Sequence, residues 1–174
     1  MDSTMAAASR PEDEEATPDF KHTLEITLKS YNKIERIDTT ITDGNDHLRI
    51  KMEYYCLHDS ALTVPKRYMS AWGKDNANDF ITNNFACKIQ VLNNQDTVFN
   101  KAITRTDFNS VLEDHLKKYA TLVTAKFEGY SKTKGYLIFS YSVSIPMTDV
   151  GVPASLTIDK HGNSKIWDEY AKFN

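Results

Sequence analysis

Glycine is scarce in this chain, six in 174 residues, and cysteine is scarcer, at two. Two cysteines cannot knit a dense disulfide scaffold, and they lack the paired spacing of a zinc site. The chain needs neither, since a domain of this length buries roughly 70% of its unfolded surface. No run approaches the ~18 apolar residues of a membrane-spanning helix. The first ten residues lack the apolar core of a signal peptide. The expectation is therefore a cytosolic chain, or a mature chain whose targeting segment lies upstream. A basic excess is missing too: the net charge is −3 and the pI about 5.9. A general nucleic-acid binder shows a basic patch and a pI above roughly 9, so no nucleic-acid partner is expected. There is no G-x-S-x-G, no phosphate-binding loop and no dinucleotide fingerprint. The histidines, His22, His47, His58, His115 and His161, make no ligand pattern. No cofactor and no metal are expected. Asp43, Asn45 and His47 are loosely metal-like in spacing, but no bidentate acid follows at the calcium-loop position.

What is present is tyrosine, phenylalanine and alternation. Residues 1–20 hold few large apolar side chains and an acid run from Glu12 to Glu15. Such a segment cannot bury enough surface to offset its ordering entropy, which predicts a disordered tail or tether. From residue 21 the period-2 pattern begins. Leu24, Ile26 and Leu28 alternate with polar residues and predict a strand. The segment 31–41 is ambiguous, and Asp43-Gly44 marks a turn. Leu48, Ile50, Met52, Tyr54 and Cys56 predict one apolar strand face. Cys87, Ile89 and Val91, a turn at 93–96, and Val98-Phe99 predict a hairpin. Later strands place Val123, Ala125 and Phe127 on one face, then Leu137, Phe139, Tyr141, Val143 and Ile145, then Ala154, Leu156 and Ile158. Between these runs the period changes. Phe108, Val111, Leu112, His115, Leu116 and Tyr119 form one helical stripe. Thr104 and Asp107 have capping-box spacing, and Ile103 and Phe108 the staple positions. Lys117 and Lys118 complement the dipole at its end. The expectation is a single α+β domain over 21–174, with a mostly antiparallel β-sheet and one principal amphipathic helix at about 105–119.

Chemistry-bearing candidates are few. Asp149 lies between Pro146 and Pro153, but a lone exposed carboxylate is a poor acid/base system, and the stretch reads as a corner between strands. The unassigned segment 57–80 gathers Lys66, Arg67, Tyr68 and Trp72. Arg67, Tyr68 and Trp72 are the residue types that anchor glycan or peptide surfaces; the plainer expectation packs Tyr68, Met69 and Trp72 onto the sheet as a lid. Cys56 and Cys87 fall on apolar strand faces, as two buried thiols or, if the protein is exported, as a disulfide. A hydrolase site assembled from distant residues stays open as a rival to a non-catalytic binding or scaffolding role.

One resemblance follows from the order of pieces in the C-terminal half, from about Asn83. Thr104, Asp107 and Phe108 open a helix. The segment Ser142 to Asp149 reads Ser-Val-Ser-x-Pro-x-Thr-Asp, and an apolar strand and a turn at Gly162 follow. This resembles a domain-of-unknown-function family of small lipoproteins from Bacteroides-type bacteria. The resemblance implies an exported cell-envelope protein, periplasmic or outer-membrane-anchored, held to the membrane only through a lipid on a cysteine that this chain does not show. No catalytic residue is carried over from it, and the partner stays open between glycan and protein.

Overall fold

Alternating side chains decide most of this architecture. The computed structural model describes residues 20–69 and 78–168. The chain runs α1 (Phe20–Ser30), β1 (Glu35–Asp43), β2 (Asp46–Cys56), β3 (Leu62–Val64), β4 (Phe80–Thr82), β5 (Phe85–Asn93) and β6 (Asp96–Ile103). It continues through α2 (Asp114–Tyr119), β7 (Thr121–Ser131), β8 (Tyr136–Ser144), β9 (Gly151–Asp159) and β10 (Ser164–Asp168). Two four-stranded antiparallel sheets result, β1-β2-β5-β6 and β10-β9-β8-β7, with β3 and β4 as a small separate pair. Each four-stranded sheet gives one face to a common apolar core. Leu48, Ile50, Met52, Tyr54, Cys87, Ile89 and Val91 come from the first, and Leu137, Phe139, Tyr141, Val143, Leu156 and Ile158 from the second.

The structure is 55% strand and 17% helical, nearly all-β, which corrects the α+β expectation. The reason lies in the segment expected to be one helix at about 105–119. It breaks into a single 3-10 turn, Arg105–Phe108, and the six-residue α2. Its start is as the spacing predicts, with the Thr104 N–H donating to Asp107 Oδ2 at 2.8 Å. Asn109 and Ser110 are poor helix formers, and Glu113 is extended, with φ −70° and ψ 158°, before α2 starts. The break still buries Phe108, Leu112 and Leu116. Six α-helical residues cannot form a layer of their own.

Three further expectations change. The segment from Leu24 to Leu28 is helical, not extended. Phe20, Thr23, Leu24, Thr27, Ser30 and Tyr31 turn inward at a 3.6 period, while Ile26 and Leu28 stay exposed. Val123 is exposed because it is an extra residue on β7: Leu122 pairs Val143 and Thr124 pairs Ser142, a bulge that turns the intervening side chain outward. Pro153, expected in the corner between strands, lies inside β9 opposite Ser142. Ile145 donates to the Val150 carbonyl at 2.9 Å, so by alternation Ser142 and Pro153 form a non-hydrogen-bonded pair. The proline nitrogen points away from β8, toward the side where the described β10 ladder ends at Ala154. No ladder bond to β8 is lost.

The turns of the two sheets meet at one end. Lys160, after β9, donates to Asp46 at 2.9 Å, and Tyr130 on β7 donates to Asp43 at 2.8 Å. At the opposite end Tyr54 donates its hydroxyl to the Leu122 carbonyl at 2.8 Å, and the Phe85 N–H donates to Thr121 Oγ1 at 3.0 Å. Thus β7 lies by β1 at one end and by β2 and β5 at the other, as twisted packed sheets do. Over this second end lies α1.

Candidate functional site

Between α1 and the sheet ends is a cleft of about 430 Å³, within the range of small-molecule sites. The helix contributes Ile26, Thr27 and Ser30, and the floor is Tyr54, Phe85 and Leu122. Ile145 to Thr148 close the far side, after β8. The rings of Tyr54 and Phe85 stack at 5.4 Å, and Tyr31 tilts onto Phe85 at 6.2 Å. These rings lie at the base of the cleft beneath the helix.

Phe20 and Leu24 of α1, and Tyr31 after it, pack on the core. The Thr27 hydroxyl lies 2.9 Å from the Thr23 carbonyl and 3.2 Å from the Met147 sulfur. The Tyr31 and Thr82 hydroxyls meet at 2.6 Å. Met147 follows Pro146 in a tight turn closed by Thr148 N–H on the Ile145 carbonyl at 3.3 Å. Its φ is +65°, a left-handed conformation that disfavours any residue with a Cβ. Met147 is nonetheless buried and packed on the core, and it is this turn that brings its sulfur to α1.

Electrically the cleft is neutral. Apart from Tyr54, its described lining carries hydroxyls and apolar groups only. Burial pushes the Tyr54 phenol well above its ordinary value. The hydroxyls are already partnered. Thr121 accepts from Phe85, Thr148 donates to Ile145, and Ser142 and Ser144 pair at 3.0 Å. A ligand here gains chiefly by burying apolar surface. At the rim Ile26 and Val123 are 55% and 45% exposed, which is unusual for large apolar side chains so close together.

The residues marked in the sequence lie elsewhere. Arg67 and Tyr68 sit in a single 3-10 turn after Pro65. Tyr68 tilts against Tyr119 of α2 at 5.6 Å, and the Arg67 guanidinium carbon lies 5.1 Å and 5.5 Å from the two ring centres. Tyr119 therefore joins this group, although its helical stripe marked it only for packing. Trp72 lies outside the described residues. Cys56 and Cys87 are free and buried. They sit on adjacent strands in diagonal register, Cys87 opposite Tyr54 and Cys56 opposite Phe85. Asp149 is exposed at the β8–β9 corner. His115 is half-buried, with Nδ1 3.4 Å from Glu113. Asp43 takes the Tyr130 hydroxyl, whereas His47 meets Thr42 at 3.2 Å. Among the described residues no group of three or more His, Cys, Asp or Glu is placed to hold a metal ion.

Sequence reasoning missed the cleft entirely. Its walls come from five separated segments, and its two rim residues, Ile26 and Val123, both looked inward-facing. Comparison with curated proteins finds no match. A family match does cover residues 25–166, taking in the N-terminal half as well as the C-terminal pieces that carried the resemblance. The chain belongs to the family described as Domain of unknown function (DUF4738).

Proposed function

We propose that this domain is a non-catalytic binding module of the cell envelope, and that its site is the cleft beneath α1. The observation that carries this reading is the neutral cleft itself, whose hydroxyls are already satisfied and whose rim leaves Ile26 and Val123 open. Such a lining suits retention of an apolar group better than bond-making, which needs titratable groups with divergent affinities for protons. Export and lipid anchoring rest on the resemblance to small lipoproteins and on the acidic stretch ahead of α1, which would serve as a tether. Two measurements test the two halves. In the native reading frame, an apolar leader ending in a cysteine is expected upstream; its absence removes the anchor. In methyl NMR, titration with 1-octanol should move Ile26, Val123, Ile145 and Met147 and leave Ile89 and Ile158 still. If no methyl at the cleft responds, the site is wrong.

A second reading takes Arg67 and Tyr68 as a glycan or peptide surface. In its favour, Tyr68 and Tyr119 are only half-buried, side by side. Against it, the guanidinium of Arg67 already lies over both rings.

A further inference from the structure

The cleft has a neighbour. A second hollow of 300 Å³ lies against α1, walled by Ile26, Ser30, Tyr54 and Val123, all four of which also line the cleft, and by Lys29, Lys33 and Glu35. With these four walls in common the two hollows form one groove. Its character changes along its length. The cleft end, toward Ile145 and Met147, is apolar and uncharged, while the other end is cationic. Lys33 is engaged, its ammonium 2.6 Å from Glu35. Lys29 is exposed and makes no side-chain hydrogen bond or ion pair among the described residues. Two lysines against one glutamate give the lining of this end a net charge of +1.

A groove that is apolar at one end and carries one net cation at the other fits an amphiphile of matching polarity. Resting on the cleft reading above, we propose that the groove binds a single aliphatic chain ending in a monoanionic carboxylate. The chain lies in the cleft over Tyr54 and Phe85, passes beneath Ile26, and brings its head to Lys29. Charge selects the head: one surplus cation balances a carboxylate, whereas a dianionic phosphate monoester would leave a negative charge unmatched. The already partnered hydroxyls of the cleft fit a chain that asks for no hydrogen bonds.

The test is calorimetric titration of the full chain with octanoate and decanoate below their micelle concentrations, with 1-octanol and decyl phosphate in parallel. Octanoate should bind more tightly than octanol, and each added methylene should strengthen binding by about threefold to fourfold. Lys29→Glu should weaken decanoate by about fivefold to tenfold and leave octanol unchanged. Ile26→Asp should weaken both, since it puts a carboxylate on the shared wall. Both positions are exposed, and circular dichroism should show both variants folded. Equal binding of octanol and octanoate, indifferent to Lys29→Glu, overturns the carboxylate head and leaves the cleft standing. Tighter binding of decyl phosphate than of decanoate overturns the head assignment likewise. Absence of binding by both octanol and decanoate, or binding that Ile26→Asp does not touch, overturns both the amphiphile and the cleft.

Discussion

Gly162 and Gly44 both have positive φ, +86° and +61°, but differ in what surrounds them. A Cβ on Gly44 would meet nothing within 4 Å, whereas one on Gly162 would fall 1.9 Å from the Val98 carbonyl oxygen. Gly44→Ala should therefore cost only the left-handed backbone penalty, about 1 kcal/mol. Gly162→Ala adds a backbone collision between the β9–β10 turn and β6, and should cost at least ~2 kcal/mol. Urea unfolding of the pair measures the difference; equal losses would mean that the close approach is not real. The thiols give a second outcome. Denatured, unreduced protein should titrate two free thiols, while the native protein should react slowly at pH 8. Burial pushes the Cys87 thiol up to about 12 and raises Cys56 as well, and only thiolate reacts readily. At this scale the sequence was informative wherever strict alternation held: every inward residue read in β2 and β8 is buried. It misled at Val123, because one inserted residue reverses the facing of its neighbours and leaves no mark in composition.

Among the elements, the best-read feature is a cap and the worst-read is a helix. Asp107 closes the capping box at Thr104 and also pairs with Lys101. Asp107→Ala should destabilise by about 1 kcal/mol, and Leu116→Ala, which hollows the core side of α2, by about 2–5 kcal/mol. Thermal or urea unfolding separates the two. If Asp107→Ala proves the costlier, the box does more than start a 3-10 turn. The capping spacing was visible because it depends on two residues three apart. The break at Asn109–Glu113 was not, since Phe108, Leu112 and Leu116 keep helical spacing across it while the backbone does not. In α1 the opposite occurred. Half of its inward face is Thr23, Thr27 and Ser30, so hydrophobicity drew attention to Leu28, which is exposed, and to Ile26, which stands at the cleft rim. An inward face made of hydroxyls suits a helix that borders a cleft, and it is for this reason that the candidate site was illegible.

In the whole molecule, stability against acid depends on charges that join turn to turn and strand to strand. The Lys160 ammonium and the Asn93 amide beside Asp46 hold its carboxyl below the ordinary 3.8, and Arg49 does the same for Asp38. A carboxyl depressed in the folded state adds stability that is fully present above its ordinary value. That contribution is lost as pH falls through the folded value. Unfolding free energy should therefore drop below about pH 4, and Asp46→Asn should flatten that acid limb while lowering stability at neutral pH. An unchanged acid limb in the variant would show that Asp46 and Lys160 do not pair in solution.

The bulge that exposes Val123 is one of three on the outer strands. The residues without a cross-strand partner, Val98, Val123 and Glu128, all fall on β6 and β7, the outermost strands of their sheets at those borders. A straight outer strand offers a row of free amides and carbonyls on which another molecule can build. Irregular borders deny that template, so β6 and β7 should resist edge-to-edge growth at high concentration, and straightening β7 by deleting Val123 and Glu128 should raise the rate of fibril formation.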